Sequence, residues 1–231
     1  MARVLVALAV ITLITVVAAT KLADSTRSGD DVTGVQSGAS DLGSDGADVG
    51  TTIDAIGASP HRKHTGPVLV IGDSISVGAR DAGLLALLRA DGWRPEVVAE
   101  TGQAPRWGID QIKQRSTVPP LVVVELGTNP SSGIGTFVAD SKEIVADLKA
   151  RGAKQIVWVT PVYRDDDRYL DKVGILQDLA ATEPTLSVVD WGTIARAHPA
   201  WFQKDGLHYT QTGYKILAQY LSDQIDQKAP T

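Results

Sequence analysis

Hydrophobic and polar positions divide the chain into three segments. An apolar run over residues 4–19 is interrupted only by Thr12 and Thr15. In residues 24–65 the apolar residues are mostly isolated. From Pro67 onward, short apolar runs alternate with stretches of helical periodicity, which is typical of βαβ units that build a parallel sheet. The third segment therefore predicts one α/β domain.

Five short runs rich in Val, Ile and Leu predict the strands, at residues 68–71, 96–100, 121–126, 155–160 and 186–190. The run of consecutive apolar residues in the third is typical of a strand buried on both faces. Helical patterns occupy residues 77–90, 107–114, 137–150, 169–181 and 211–227. We expect a three-layer α/β/α sandwich with a five-stranded parallel sheet. Ligands of such sheets bind beyond the carboxyl ends of the strands.

The first segment has the pattern of an export signal. Arg3 precedes the apolar run, which ends in small residues and is followed by Lys21. Residues 1–23 therefore predict either a secretory signal peptide, cleaved after Ala19, or an uncleaved N-terminal membrane anchor. Both alternatives place the rest of the chain outside the cytoplasm, as a secreted or membrane-anchored protein that meets the membrane only through this segment.

The second segment, residues 24–65, is rich in Gly, Ser, Asp and Thr and has no aromatic residue. Such a composition buries too little apolar surface to offset the entropy of ordering, so it predicts a disordered linker. The basic and histidine residues at 61–64 are interpreted as a solvated charge cluster within that linker. The folded domain is then expected over residues 66–227.

Charge and composition exclude several functional classes. The formal net charge is −5, without the basic excess that nucleic-acid binding usually requires, so no nucleic-acid partner is expected. Because the chain has no Cys, it has no disulfide scaffold, thiolate metal site or cysteine nucleophile.

The first predicted strand is followed by Gly72-Asp73-Ser74-Ile75-Ser76. A serine between a strand and a helix can present its hydroxyl at the edge of the sheet, where the helix N-terminus offers free N–H groups to a developing anion. The structural alternative is that Ser74 or Ser76 simply caps the helix.

Glycines also follow the second and third strands. Gly102 and Gly127 can let a ligand approach the backbone closely, and the Asn129 side chain can donate to an oxyanion. Each of these residues is equally typical of an ordinary turn.

Asp205 and His208 stand just before the last predicted helix. Two of the four histidines lie in the linker and His198 is followed by Pro199, so His208 is the best candidate for a general base. Asp205, three residues earlier, can accept a hydrogen bond from the ring and hold its tautomer. The same pair could instead cap the helix or bind a metal.

Together, these four blocks occur in the order that the SGNH (GDSL-like) hydrolase family shows, and the chain resembles that family from Pro67 to about Ile225. The resemblance implies a flavodoxin-like sheet of order 2-1-3-4-5. It also implies that Ser74 is the nucleophile, that Asp205 and His208 are the acid and base, and that the oxyanion hole comprises Ser74, Gly102 and Asn129. The segment looks closest to the SGNH domains associated with bacterial acyltransferase-3 proteins.

Two positions depart from the family pattern. Pro130 stands where the family often has Asp after its Asn, and Thr101-Gly102-Gln103 matches the Gly block loosely.

The resemblance implies an exported serine esterase or deacetylase that cleaves small acyl esters of cell-envelope glycans or lipids through an acyl-enzyme. An O-acyltransferase with the same intermediate, receiving acyl groups from a membrane acyltransferase partner, is the first alternative. A non-catalytic binding domain is the second. No cofactor and no metal are expected, because serine acyl transfer needs neither.

Several residues beside the predicted site are candidates for substrate contacts. Arg106 and Trp107 follow Gly102 closely, and Tyr163 follows the fourth predicted strand. The acidic run at residues 165–167 is interpreted as a solvated loop whose partners are Arg164 and Arg168, rather than as a metal loop.

Overall fold

Five parallel strands form a single sheet in the order β2-β1-β3-β4-β5. The computed structural model describes residues 64–230. The strands are β1 (Pro67–Gly72), β2 (Arg94–Ala99), β3 (Leu121–Glu125), β4 (Gln155–Val159) and β5 (Leu186–Val189). Both the all-parallel pairing and the order 2-1-3-4-5 are as expected from the sequence.

Seven α-helices accompany the strands within residues 64–230. They are α1 (Ser74–Ala79), α2 (Leu85–Ala90), α3 (Pro105–Lys113), α4 (Ile134–Ala150), α5 (Tyr169–Thr182), α6 (Trp191–Arg196) and α7 (Gln211–Gln227). In this part of the chain, no helix combines the length and apolar character needed to cross a membrane.

The prediction of one continuous helix over residues 77–90 is wrong. A π-helical turn, Arg80–Leu84, separates α1 from α2, and Gly83 within it has a φ of 115°. The helix also begins three residues earlier than predicted, at Ser74. The apolar periodicity continues across the kink because both halves pack on the same core, so it does not reveal the break. Helix α6 was not predicted, since six residues are too few to show a helical period.

Side chains of the strands alternate between two cores. Val68 and Val70 of β1 point into a core shared with α1, α2, α6 and α7. Leu69 and Ile71 point into the opposite core, shared with α3 and α4. All four side chains are fully buried. The sheet is thus the middle of three layers, which confirms the predicted α/β/α sandwich.

The chain enters the domain at the amino end of β1, remote from the strand ends that carry the candidate site. His64 stacks on Trp93 with ring centroids 4.3 Å apart, and its backbone N–H donates to the carbonyl of Asp91 at 2.7 Å. His64, near the end of the predicted linker, is therefore packed against the domain, because Trp93 offers it an aromatic face, and the carbonyl of the exposed Thr65 accepts a hydrogen bond from Arg94. The predicted N-terminal segment, residues 1–23, and the linker up to residue 63 lie outside the described residues.

Candidate active site

The strand-to-helix turn after β1 places Ser74 at the carboxyl edge of the sheet. Asp73 is the N-cap of α1, and its Oδ1 accepts the Ile75 N–H at 3.0 Å. The alternative that Ser74 or Ser76 caps this helix is therefore wrong. Because Asp73 does the capping, Ser74 occupies the first helical position with its hydroxyl directed elsewhere.

Gly72 is required by a close approach within this turn. A Cβ at Gly72 would lie 1.9 Å from the Oγ of Ser76 and 3.1 Å from the carbonyl oxygen of Glu125. Any side chain at this position would push the first turn of α1 away from β3. The glycine therefore allows the turn that carries Ser74 to pack tightly on the sheet.

Three side chains form a continuous hydrogen-bonded chain at this edge. The Nε2 of His208 lies 3.1 Å from the Oγ of Ser74, and its Nδ1 lies 2.8 Å from the Oδ2 of Asp205. Ser74 is 8% exposed, whereas His208 and Asp205 are partly open to solvent. With the Nδ1 proton bonded to Asp205, the Nε2 is free to accept the hydroxyl proton of Ser74.

The loop before α7 builds the Asp205–His208 pair locally. The Oδ1 of Asp205 accepts the backbone N–H groups of Leu207 and His208 at 2.9 and 3.0 Å, which leaves Oδ2 for the imidazole. Burial raises the pKa of Asp205, but these hydrogen bonds outweigh it and the pKa is lowered. Asp205 is therefore the ionised partner that can stabilise an imidazolium at His208.

Ser76, the other serine of the turn, faces the interior. It is fully buried, and its hydroxyl donates to the Oε2 of Glu125 at 3.0 Å. The geometry therefore distinguishes the two serines, since Ser74 is the one that contacts His208.

The loop after β2 brings Gly102 to the same edge. Gly102 has a φ of 81° and lies at the surface, with open space where a Cβ would stand. The positive φ favours glycine, since other L-residues are strained in this region. Its N–H and that of Ser74 are the two backbone donors that the family resemblance assigns to the oxyanion.

Asn129 connects the three loops around Ser74. Its Nδ2 donates to the Oδ2 of Asp73 and to the backbone carbonyl of Gln103, both at 3.1 Å. Both amide hydrogens are thus engaged before any substrate arrives. In this state Asn129 holds the loops after β1, β2 and β3 together, and donation to an oxyanion requires one of these bonds to be shared or exchanged.

Glu125 is a component of the site that the sequence analysis missed. It is the last residue of β3, is only 3% exposed, and forms a hydrogen-bonded pair with the fully buried Asp73. The available signal was a single acidic residue inside an apolar strand, Leu121 to Leu126, where a charge is costly unless it is partnered.

Burial beside a second carboxyl group changes the protonation of both residues. Burial raises the pKa of Asp73 to about 6, although hydrogen bonds from Ile75, Glu125 and Asn129 lower it in part. Burial and the negative charge of Asp73 raise the pKa of Glu125 well above its usual range. The raised pKa of Glu125 favours its protonated form, which can donate a hydrogen bond to the carboxylate of Asp73.

Of the three candidate substrate residues, two contact other parts of the domain and the third borders the site. Arg106 pairs with Asp140 and Glu143 on α4, and Trp107 packs against the core beneath α3 and α4. These contacts give both residues a structural role. Tyr163 donates its hydroxyl to the carbonyl of Thr128, directly beside Asn129, and so borders the site.

The acidic run after β4 is paired with arginines, as the sequence predicted for Arg164 and Arg168. Arg164 binds Asp165, and Arg168 binds Asp166. Arg196 of α6 adds a third pair, with Asp167. No group of three or more potential metal ligands is found within residues 64–230.

Comparison with sequences finds a partial match. No model of a known protein family matches the chain. The chain is 28% identical over 119 residues to an O-acetyltransferase OatA of Staphylococcus aureus. This match covers 52% of the chain but only 18% of the relative, so the chain spans a small part of that protein's length.

Solved structures show the fold across most of the chain. The C-terminal catalytic domain of the Streptococcus pneumoniae peptidoglycan O-acetyltransferase A, with a methylsulfonyl adduct, matches with a TM-score of 0.58 at 23% identity, over 72% of this chain and 97% of that one. A putative SGNH hydrolase from Slackia heliotrinireducens gives 0.57 at 20% identity, over 70% and 100%. A family 3 carbohydrate esterase of Clostridium thermocellum gives 0.55 at 16%, over 71% and 97%. The described domain has the SGNH hydrolase fold, which confirms the resemblance seen in the sequence.

Replacing Asn129 with Ala should lower kcat for ester cleavage about 10²–10³-fold, because it removes the oxyanion donor that the family resemblance implies and the bonds that hold three loops. Steady-state kinetics with an aryl acetate measures the effect. Gln103→Ala is the matched control, since it keeps the backbone carbonyl that Asn129 binds. A rate for Asn129→Ala equal to that of the control would exclude Asn129 from the site.

Replacing Glu125 with Gln should make stability less sensitive to pH. Folding raises the pKa of Glu125 above its unfolded value, near 4.5. Such a group stabilises the folded state fully below the unfolded pKa, and this contribution is lost as the pH rises through the folded pKa. Urea unfolding at pH 4.5 and pH 8 should therefore show a larger fall in stability for wild type than for the variant.

The surface variant Glu100→Gln is the control for this measurement, because it removes a carboxyl group that lies outside the buried pair. If wild type and Glu125→Gln lose equal stability between the two pH values, folding does not raise the pKa of Glu125.

Proposed function

We propose that this chain, with its SGNH hydrolase fold, is an exported serine esterase or deacetylase that removes small acyl groups from cell-envelope glycans or lipids. The observation that carries the proposal is the chain Asp205–His208–Ser74, with its 2.8 and 3.1 Å contacts. A serine without a base is a weak nucleophile, and this arrangement supplies both the base and the group that orients it.

The first half of the reaction forms an acyl-enzyme. The Nε2 of His208 takes the proton of Ser74 as the Oγ attacks the ester carbonyl, and Asp205 stabilises the resulting imidazolium. The negative charge moves to the carbonyl oxygen, where the N–H groups of Ser74 and Gly102 and the amide of Asn129 provide donors. The carbon–oxygen bond to the leaving alcohol then breaks, and His208 gives that alcohol its proton.

The second half of the reaction releases the acyl group. Water approaches the acyl-enzyme, His208 removes one of its protons, and the hydroxide adds to the carbonyl. As the tetrahedral intermediate collapses, Ser74 recovers its proton from His208 and the carboxylic acid leaves. Each step uses side chains already in contact, so no metal or cofactor enters the mechanism.

An O-acyltransferase is the second candidate, and the comparisons provide the observation that favours it. Both the curated relative and a structural neighbour are O-acetyltransferases by name, and the neighbour acts on peptidoglycan. A sugar hydroxyl in place of water would complete the same cycle, with the acyl group supplied by a membrane acyltransferase partner. An acylated cell-envelope glycan fits both candidates.

Export is part of the proposal. The basic residue and apolar run of residues 1–23 support a signal peptide or membrane anchor, and the linker pattern of the following residues supports a domain held outside the cytoplasm. A peptidoglycan enzyme among the structural neighbours agrees with that location.

Replacing Ser74 with Ala should lower the rate of aryl acetate cleavage by a factor on the order of 10³ or more, since the nucleophile is lost. Ser76→Ala is the matched control, because it leaves the Ser74–His208 contact in place. Methanesulfonyl fluoride should label wild type on Ser74, as read by peptide mass spectrometry. A label on Ser76, or a Ser74→Ala rate near that of wild type, would refute the nucleophile assignment.

The molecule that accepts the acyl group, water or a sugar hydroxyl, distinguishes the esterase from the O-acyltransferase. With purified full-length protein and 4-nitrophenyl acetate, the esterase should release one acetate for each nitrophenolate, with or without an added glycan oligosaccharide. Mass spectrometry of the oligosaccharide is the second readout. An acetylated oligosaccharide that forms only with intact Ser74, at the expense of acetate, would instead support the transferase.

A further inference from the structure

A cavity of about 350 Å³ lies beside the candidate site, at the carboxyl ends of β3 and β4. Ser131 and Ile134 belong to its first wall, formed by the loop after Asn129 and the start of α4. Tyr163 and the acidic loop form the second wall, and Lys172 of α5 is also part of the lining. We call this cavity the side pocket. Its volume is enough for one sugar ring and its substituents.

The side pocket is attached directly to the loop that carries Asn129. The Nζ of Lys172 donates to the carbonyl of Gly127 at 2.5 Å, and the hydroxyl of Tyr163 donates to the carbonyl of Thr128. These contacts fix two lining side chains to consecutive residues just before Asn129. A group bound in the side pocket is therefore next to the proposed oxyanion hole.

Lys172 gives the side pocket a positive charge that has no direct ion pair within residues 64–230. It is half-buried, and it contacts the Gly127 carbonyl and the Phe137 ring but forms no salt bridge with any carboxylate of residues 64–230. Burial is the main cause of its lowered pKa, and attraction to the more distant Asp73 opposes it. An ammonium group has three donors, so Lys172 retains donors for a ligand.

Further donors in the side pocket lack partners. The Oγ of Ser131 is buried and has no hydrogen-bond partner within the described part of the chain. The 17-residue helix α4 begins at the pocket wall, where its N-cap, Gly133, supplies no side-chain cap and the first turn contains no acidic residue. Unsatisfied donors and a positive helix end around one cavity favour a ligand that is an acceptor and carries negative charge.

The other charged residues of the lining cancel each other. Asp166 and Arg168 form an ion pair, and the Asp166 carboxylate also accepts the backbone N–H of Arg168. Lys172 therefore leaves the lining with one net positive charge. A single charge matches a carboxylate better than a doubly charged phosphate.

We propose that the side pocket binds a carboxylate of the substrate, so that the enzyme acts on acylated glycans that contain a sugar acid. This inference rests on the proposed function for its substrate, but the carboxylate site is defined by Lys172, Ser131 and the cavity itself.

Two substrates, one with a carboxylate and one with its neutral methyl ester, test the proposal. Full-length protein is given a mono-O-acetylated methyl glucuronoside and the methyl ester of the same compound, and kcat/KM for acetate release is measured for each. Wild type should prefer the acid about tenfold, a factor that one partly desolvated charge pair can provide. Lys172→Gln should abolish the preference, whereas Lys172→Arg, which keeps the charge, should restore most of it.

The ratio of kcat/KM for the acid to kcat/KM for the ester is used because a general effect of a variant on the nucleophile or on folding changes both values equally. Lys142→Gln is the matched control, because it removes an exposed lysine of α4 outside the side pocket with the same change in net charge. Ser131→Ala should reduce the preference two- to threefold by removing the unpartnered hydroxyl. An acid-to-ester ratio that stays the same in Lys172→Gln and wild type would overturn the proposal.

Binding measured without catalysis separates this inference from the proposed function. Calorimetry with glucuronate should show binding to wild type and Ser74→Ala that is weakened about tenfold in Lys172→Gln. If neither acetylated substrate is cleaved but this pattern holds, the esterase proposal fails and the carboxylate site stands. Cleavage of both substrates without glucuronate binding would overturn the site alone, as would tighter binding of glucose 6-phosphate than of glucuronate.

Discussion

The buried carboxylate of Asp73 is the constraint on which the rest of the site depends. One oxygen caps the helix that begins with Ser74, and the other holds the amide of Asn129 from the loop after β3. A charge so deeply buried is unfavourable unless it is fully hydrogen-bonded, so the loops around it must converge. Glu125, whose pKa burial raises, adds a further hydrogen bond to Asp73 from the sheet itself. Ser74, the proposed nucleophile, and the proposed oxyanion hole are therefore positioned by one desolvated group.

The other half of the chemistry comes from the far end of the sequence. His208 is 134 residues from Ser74, yet its ring contacts the serine because the loop before α7 returns to the carboxyl edge of the sheet. Asp205 and the backbone N–H groups of the same loop prearrange that ring. Local turn geometry thus orients His208, the proposed base, and the packing of α7 brings it to Ser74. The two halves are assembled independently and meet only in the folded domain.

The proposed triad and the proposed side pocket use different loops at this edge. Ser74 comes from the loop after β1 and His208 from the loop before α7, whereas the side pocket lies between the loops after β3 and β4. Lys172 and Tyr163 link the two regions by bonding to the carbonyls of Gly127 and Thr128. Arg106 and Trp107, which the sequence suggested for substrate contacts, contact α4 and the core beneath it.

The sequence by itself determined the fold class, the strand order through its family resemblance, and the identity of Ser74, Asp205 and His208 as candidates. These features follow from apolar periodicity and from short motifs, which are local in the chain. Tertiary structure alone decided that Ser74 rather than Ser76 faces the base, that Asp73 is the cap, and that Gly83 divides the first helix. It also revealed the Asp73–Glu125 pair and the lone charge of Lys172. The protonation and the contacts of such side chains depend on their burial and on their hydrogen-bond partners, and both depend on residues that only folding brings together.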